Sequence, residues 1–310
     1  MYFYKCSWII FVCCIFFSCT NHMQERIQYT LHQAGENSSE LKKVLDHYQN
    51  QPEKLKAARF LIANIPAHRT YVGKEIDSLK QMKKESIQQG RISDEIVTHW
   101  KSFDYSSSQV VKDIDVIKAD ILIENIDLAF EAWEKRSWSK QYSFEDFCEY
   151  VLPYRIGDEP LEKWRRIYYE RYSPVLDSLY QGNDVVEAAR VMANYLKEEG
   201  FTNHTDFNLP HLGALFLLEN RVGYCRDNCD IATYVMRSLG IPITMDFYEM
   251  SPSYNSRHFW SALIDTTGLV VPFNYIEREI VRRPQEERKK GKVYRTCYGI
   301  QPEKYSGLYT

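Results

Sequence analysis

Apolar positions recur at helical spacing through the first half of the chain and alternate at strand spacing in its last third. Helical patterns cover Glu40 to Tyr48, Pro52 to Ala63, Gly73 to Gln89 and Asp113 to Lys135, the second opened by a proline, whose missing N–H costs nothing at a helix start. In the last of these Ile114, Ile117, Ile121 and Leu128 fall on one face, with Asn125 as its polar interruption. Serine-rich breaks stand at residues 103–108 and 137–143, and Pro153, Gly157 and Pro160 punctuate an aromatic and charged stretch before a helix resumes at Leu161. Further on, a helix from Cys225 to Leu239 stops at Gly240, with Pro242 just beyond. Three strands follow. Ile243, Met245 and Phe247 alternate with Thr244, Asp246 and Tyr248, and then come His258 to Asp265 and Leu269 to Asn274, joined through Asp265-Thr266-Thr267-Gly268 as a hairpin. The stretch from Arg278 to Lys292 is charged and reads as solvated.

The pattern predicts an α+β fold, a helical N-terminal region followed by a core in which the cysteine-bearing helix packs on an antiparallel sheet. The expected partition is a signal peptide over 1–18, a polar linker over 19–39, the helical region over 40–137, the core over 138–285, and a charged tail over 286–310 that opens a further module.

At 310 residues, with 44% hydrophobic and 14% aromatic content, the chain can bury a sizeable core. A formal charge of -3 and a pI of 6.3 give no global attraction to nucleic acid or to an acidic membrane surface.

The segment from Met1 to Cys19 carries one positive charge, Lys5, and an apolar run from Trp8 to Phe17 that is short for a bilayer span. It reads as an export signal, with an uncleaved anchor helix as the alternative. Phe16-Phe17-Ser18-Cys19 resembles the lipobox of bacterial lipoproteins, although Phe16 stands where leucine is usual. That resemblance implies lipidation of Cys19 and a lipid anchor in the cell envelope. Thr20 in place of an acidic residue implies the outer membrane. Removal of the signal takes Cys6, Cys13 and Cys14 with it and leaves Cys148, Cys225, Cys229 and Cys297. Four thiols do not make a disulfide scaffold, though an oxidising compartment would allow one Cys148 to Cys297 bridge.

Cys225 falls in the first turn of its helix, where unpaired N–H groups and the positive dipole end favour a thiolate, so a lowered thiol pKa is expected. The same turn offers the Cys225 N–H to an oxyanion. A buried, inert thiol is the competing reading. His258 shares a strand face with Trp260, Ala262 and Ile264, and is either plain packing beside that tryptophan or the base that cysteine chemistry requires. Asp265 and Asn274 compete to orient its ring. Asp265 is seven residues on, on the opposite face and about 24 Å away along a regular strand, so it is the turn residue. A three-residue loop with Gly268 left-handed would pair Asp265 with Leu269 and Trp260 with Asn274, setting Asn274 diagonally beside His258. Asn274 can hold the imidazole by accepting its N–H, and can equally be an ordinary residue at a strand end. A Cys225 and Cys229 metal pair lacks the ligand spacing of a zinc site, and Cys229 is expected to pack inward. His204 and His211 read as surface or locally hydrogen-bonded residues, and Arg155, Asp158 and Glu159 as groove-lining residues.

Gly223-Tyr224-Cys225-Arg226-Asp227, running into Arg237-Ser238-Leu239-Gly240-Ile241-Pro242, resembles the cysteine-helix motif of the transglutaminase-like superfamily, a papain-related group. His258-Phe259-Trp260 is similar to its His-x-Trp strand, and Val270-Val271-Pro272-Phe273-Asn274 falls where its third triad member stands. The likeness covers about 209–275. More loosely, 120–133 and 147–165 are similar to the helical part of lipoproteins from Bacteroides-like bacteria. Asn274 replaces the family's usual aspartate, and Cys229 its usual small residue.

The resemblance implies a catalytic set of Cys225, His258 and Asn274 with no cofactor and no metal. It implies acyl transfer to, or hydrolysis of, an amide bond in a peptide, protein or glycopeptide of the cell envelope. The alternative is an inactive, surface-tethered module that binds a glycan or peptide in the same groove.

Overall fold

The computed structural model describes residues 22–89, 98, 103–203, 209–250, 257–282 and 291–301. Cys19 and the proposed signal, together with His204 and Asp206, lie outside the described residues. Helical residues 22–33 lead into α1 (Ser38–His47), α2 (Pro52–Asn64) and α3 (Lys74–Gln89). Then come α4 (Asp113–Val116), α5 (Ala119–Glu134), α6 (Phe144–Tyr150), α7 (Arg165–Leu179), α8 (Val185–Glu199), α9 (Ala214–Asn220) and α10 (Cys225–Ser238). The strands are β1 (Arg69–Val72), β2 (Gln109–Lys112), β3 (Thr202–Asn203), β4 (Val222–Gly223), β5 (Ile243–Tyr248), β6 (His258–Ile264), β7 (Val270–Phe273) and β8 (Tyr294–Arg295). The chain is α+β, and α10 packs on an antiparallel sheet of order β7-β6-β5-β8.

Two apolar cores divide the molecule. The first collects Ile27, Leu41, Leu61, Ile126 and Phe147. The second surrounds α10 with Tyr168, Met192, Leu217, Leu263 and Phe273. Every residue of α10 from Arg226 to Ser238 is buried, which is the environment of a helix covered on all sides rather than along one stripe.

The hairpin register is the expected one. Asp265 N–H donates to Leu269 O, Ile264 pairs with Val270 and Ser261 with Phe273. Gly268 takes φ 80°, the left-handed turn position. Asp265 Oδ1 accepts from the N–H of Thr267 at 2.8 Å and of Leu269 at 2.9 Å, so this carboxylate belongs to the turn.

Elsewhere the chain departs from the pattern read above. Residues 22–39 are not a polar linker, because 22–33 are helical and Ile27, Thr30, Ala34 and Asn37, spaced three and four apart, are buried. The helix expected from Asp113 to Lys135 breaks after Val116. Asn37 Nδ2 donates to the carbonyls of Ile114 at 3.1 Å and Ile117 at 2.9 Å, taking over acceptors a continuous helix would use. Glu40 Oε2 then accepts the Ala119 N–H at 3.0 Å and starts α5.

The boundary at 137/138 does not separate the cores. Phe147, Cys148, Val151 and Leu152 pack in the first, and Leu79 of α3 in the second. Within the expected charged tail over 286–310, the described residues 291–301 join the fold: β8 pairs with β5, and Tyr298 is buried in the first core. Cys148 and Cys297 are free thiols, so the bridge the sequence allowed is not formed.

Candidate active site

Cys225 is the first residue of α10 because the chain before it is held extended and capped. Tyr224, at φ −108° and ψ −167°, precedes the helix, and its N–H donates to Asp227 Oδ2 at 3.0 Å. The Asn228 N–H then closes the first turn on Tyr224 O at 3.0 Å. Gly223 makes this geometry available, since a Cβ there would run into the Asp227 carboxylate, 2.6 Å from its Cγ.

The ladder of β6 explains how the thiol meets the sheet. The Ile264 N–H points toward β5, to Pro242 O, and the Asp265 N–H points toward β7, to Leu269 O. Odd-numbered N–H groups of β6 therefore face β7. β7 ends at Phe273, and the chain turns away through the bridge between Asn274 and Arg278. That leaves the Phe259 N–H beyond the end of its partner strand, where it faces the Cys225 thiol and, like the Arg226 N–H, favours its charged form. The sulfur thus occupies a notch at the strand end, beside the residue next to His258. Cys229, Met245 and Phe259 form a small apolar cluster around it, with Tyr224 and Phe247 against its edge.

His258 is half-buried and starts β6. Its ring lies 6.0 Å from that of Trp260 at 28° and 5.9 Å from that of Tyr248 at 44°. These three alternate with Phe259, Ser261 and Phe247, so the ring leaves the strand on the face opposite the one that packs α10, with the notch between. Asn274 is buried and, by extension of the β6–β7 register, stands opposite Trp260 and diagonal to His258. Its Oδ1 accepts the N–H groups of Ile276 at 3.0 Å and Glu277 at 3.3 Å, the work of a turn residue.

The expectation of a lowered thiol pKa is corrected here. Burial pushes the Cys225 thiol up, the Phe259 N–H draws it down, the Asp227 carboxylate pushes it up, the Arg226 N–H draws it down and Glu277 pushes it up, leaving it above its ordinary value. The helix end is present, but desolvation outweighs it. Cys229 is fully buried, and burial holds its thiol far higher still, so it packs inward as expected.

Arg155 and Glu159 do not line a groove. Both are buried, Arg155 paired with Asp113 and Glu159 accepting the N–H groups of Ile156 and Gly157 at 2.7 Å each. Asp158 does face a cavity, of about 620 Å³, lined also by His68, Arg69, His211 and Cys297. His211, read as a surface or locally bonded residue, is a nearly buried partner of Asp230, with Nδ1 2.7 Å from Oδ2. Asp230 carries its pKa up through burial, and the pair with Asp230 raises that of His211 despite its own desolvation. Among the described residues no group of three or more His, Cys, Asp or Glu is placed to hold a metal ion. No described helix is long and apolar enough to cross a membrane.

No family model and no curated protein matches the chain. Two solved structures are similar to it. A candidate cysteine protease from Cytophaga hutchinsonii shares 11% identity over 43% of this chain and 52% of its own, with a TM-score of 0.28. The periplasmic domain of TgpA from Pseudomonas aeruginosa, bound to ethylmercury, shares 15% identity over 46% of this chain and 49% of its own, also with a TM-score of 0.28. The chain spans about half the length of each.

Proposed function

We propose that this chain performs cysteine-dependent acyl transfer or hydrolysis on an amide bond, with Cys225 as nucleophile, His258 as base and Asn274 orienting the imidazole. The observation that carries the reading is the notch: the first residue of a buried helix presents its thiol to the Phe259 N–H, one residue from His258. In the reaction, His258 takes the thiol proton, sulfur attacks the amide carbon, and the protonated ring gives its proton to the departing amine. Water or another amine, deprotonated by the same ring, then releases the thioester. The Cys225 N–H at the helix start supports the oxyanion.

The substrate class is a peptide, protein or glycopeptide of the cell envelope, and the chain is exported and tethered through lipidated Cys19. That part of the reading rests on the sequence of the first twenty residues. The raised Cys225 thiol and the commitment of Asn274 Oδ1 to its own turn favour a second reading, an inactive module binding a glycan or peptide in the same groove.

Labelling with a thiol-reactive acyl-amide probe separates the two. An active site gives pH-dependent labelling at Cys225 that is lost in Cys225→Ala and in His258→Ala. Labelling that survives His258→Ala, or that falls equally on Cys229, overturns the catalytic reading.

A further inference from the structure

A buried ionic cluster lies beneath the first turn of α10. Lys83 of α3 has a side chain 1% exposed, and its Nζ stands 4.0 Å from Asp227 Oδ2, on a carboxylate just as buried. Asp227 is two residues past Cys225. Its second oxygen is 3.6 Å from Arg226 Nη2, but that guanidinium also donates to Leu209 O at 2.8 Å and lies over the Tyr224 ring at 4.9 Å. A methionine or leucine would fill the space of Lys83 without the cost of desolvating an ammonium, so packing alone does not account for a lysine there.

Asp227 creates a conflict that this lysine resolves. The carboxylate is needed where it is, because it holds the Tyr224 N–H and fixes the helix start. A negative charge so near the sulfur nonetheless opposes thiolate formation. Resting on the reading of Cys225 as the nucleophile, we propose that Lys83 is a positioning residue: its ammonium neutralises Asp227 and so keeps the Cys225 thiolate within reach of His258.

Among the described residues, these groups bear on the two ends of the coupling. Around Cys225 stand Asp227, Glu277, Tyr224, Cys229 and, through the adjoining strand residue, His258. Around Lys83 stand Asp227, Arg226 and Lys80. Burial lowers the Lys83 ammonium to about 8, Asp227 opposing and Arg226 and Lys80 adding to the shift. Above that pH the lysine discharges, the Asp227 charge is unmasked, and Cys225 becomes harder to ionise.

The test is the rate of iodoacetamide alkylation of Cys225 in the full chain, followed peptide by peptide by mass spectrometry between about pH 5 and about pH 11. Lys83→Met is expected to slow the reaction roughly threefold at about pH 7, where the wild-type lysine is charged, and to leave it unchanged above about pH 9, where that lysine has already discharged. Asp227→Asn keeps an acceptor for the Tyr224 N–H and is expected to move the midpoint down; in that background Lys83→Met should add little. A merely structural Lys83 would lower the melting temperature and leave the neutral-pH rate in place. An unchanged neutral-pH rate in Lys83→Met overturns the proposal, and should that variant not fold, an unmoved midpoint in Asp227→Asn overturns it. Alkylation requires no turnover, so a protein that shows the coupling but no acyl transfer contradicts the proposed function and leaves the coupling standing.

Discussion

Gly223→Ala probes the geometry on which the site depends. The added methyl would meet the Asp227 carboxyl group, 2.6 Å from its Cγ. That side chain is short, fully buried and tied to the Tyr224 N–H, so it cannot swing into solvent. Two losses combine. Displacing a capping carboxylate costs about 1 kcal/mol, and forcing a methyl into a filled space costs about 1–3 kcal/mol. The expected destabilisation is therefore about 2–4 kcal/mol, or a fall in melting temperature of roughly 3–6 °C for a chain of this size. Gly268→Ala is the control: its turn position has φ 80° but open space around the added carbon, so only the left-handed backbone is penalised, at about 1–2 kcal/mol. Differential scanning calorimetry of the two variants beside the wild type reads both. A Gly223→Ala protein within about 0.5 kcal/mol of the wild type would refute the packed capping arrangement under Cys225.

Two further outcomes follow from buried charges. Asp113→Asn leaves the Arg155 guanidinium buried without its countercharge and weakens the acceptor that Tyr154 OH reaches at 2.9 Å; a loss of about 3–5 kcal/mol in denaturant unfolding is expected, and a loss under about 1 kcal/mol would contradict the assignment. His211 has its pKa raised by Asp230 in the folded chain, so its contribution is fully present below the unfolded value of about 6.5 and is lost as pH rises through the folded value. Stability measured across that window should decline in the wild type and lack that component in His211→Gln; parallel curves would remove His211 from the account.

What could be read from the sequence was local. The β6–β7 register followed from turn chemistry, because Asp265 and a left-handed Gly268 decide the pairing within a few residues. The cysteine helix was legible from its start at Cys225 and its stop at Gly240, Pro242. Pairings across long separations were not. β1 and β2 join residues forty apart, and β8 is two residues of an apparently charged tail. The helix over 22–33 passed as a linker because its buried face includes Thr30, and nearby Asn37 is likewise polar.

The chemistry followed the same division. Cys225 and His258 were visible as residues, but the Phe259 N–H that links them is exposed to the thiol only because β7 stops one residue short of Asn274. Asp230 carried a usable signal. A carboxylate on a helix buried all round needs a partner, and His211 lies nineteen residues before it. Lys83 left no trace in the pattern, since its burial depends on how α3 meets β4 and α10.

The most direct measurement of the central claim is a crystal structure of the full chain after reaction with an acyl-amide electrophile. The account predicts a single covalent bond at Cys225 Sγ, with a His258 ring nitrogen within about 4 Å of the sulfur and Asn274 against the other side of the ring. An adduct on Cys229 or Cys297, or a modified Cys225 with the His258 ring still stacked on Trp260 and out of reach of the sulfur, would contradict it.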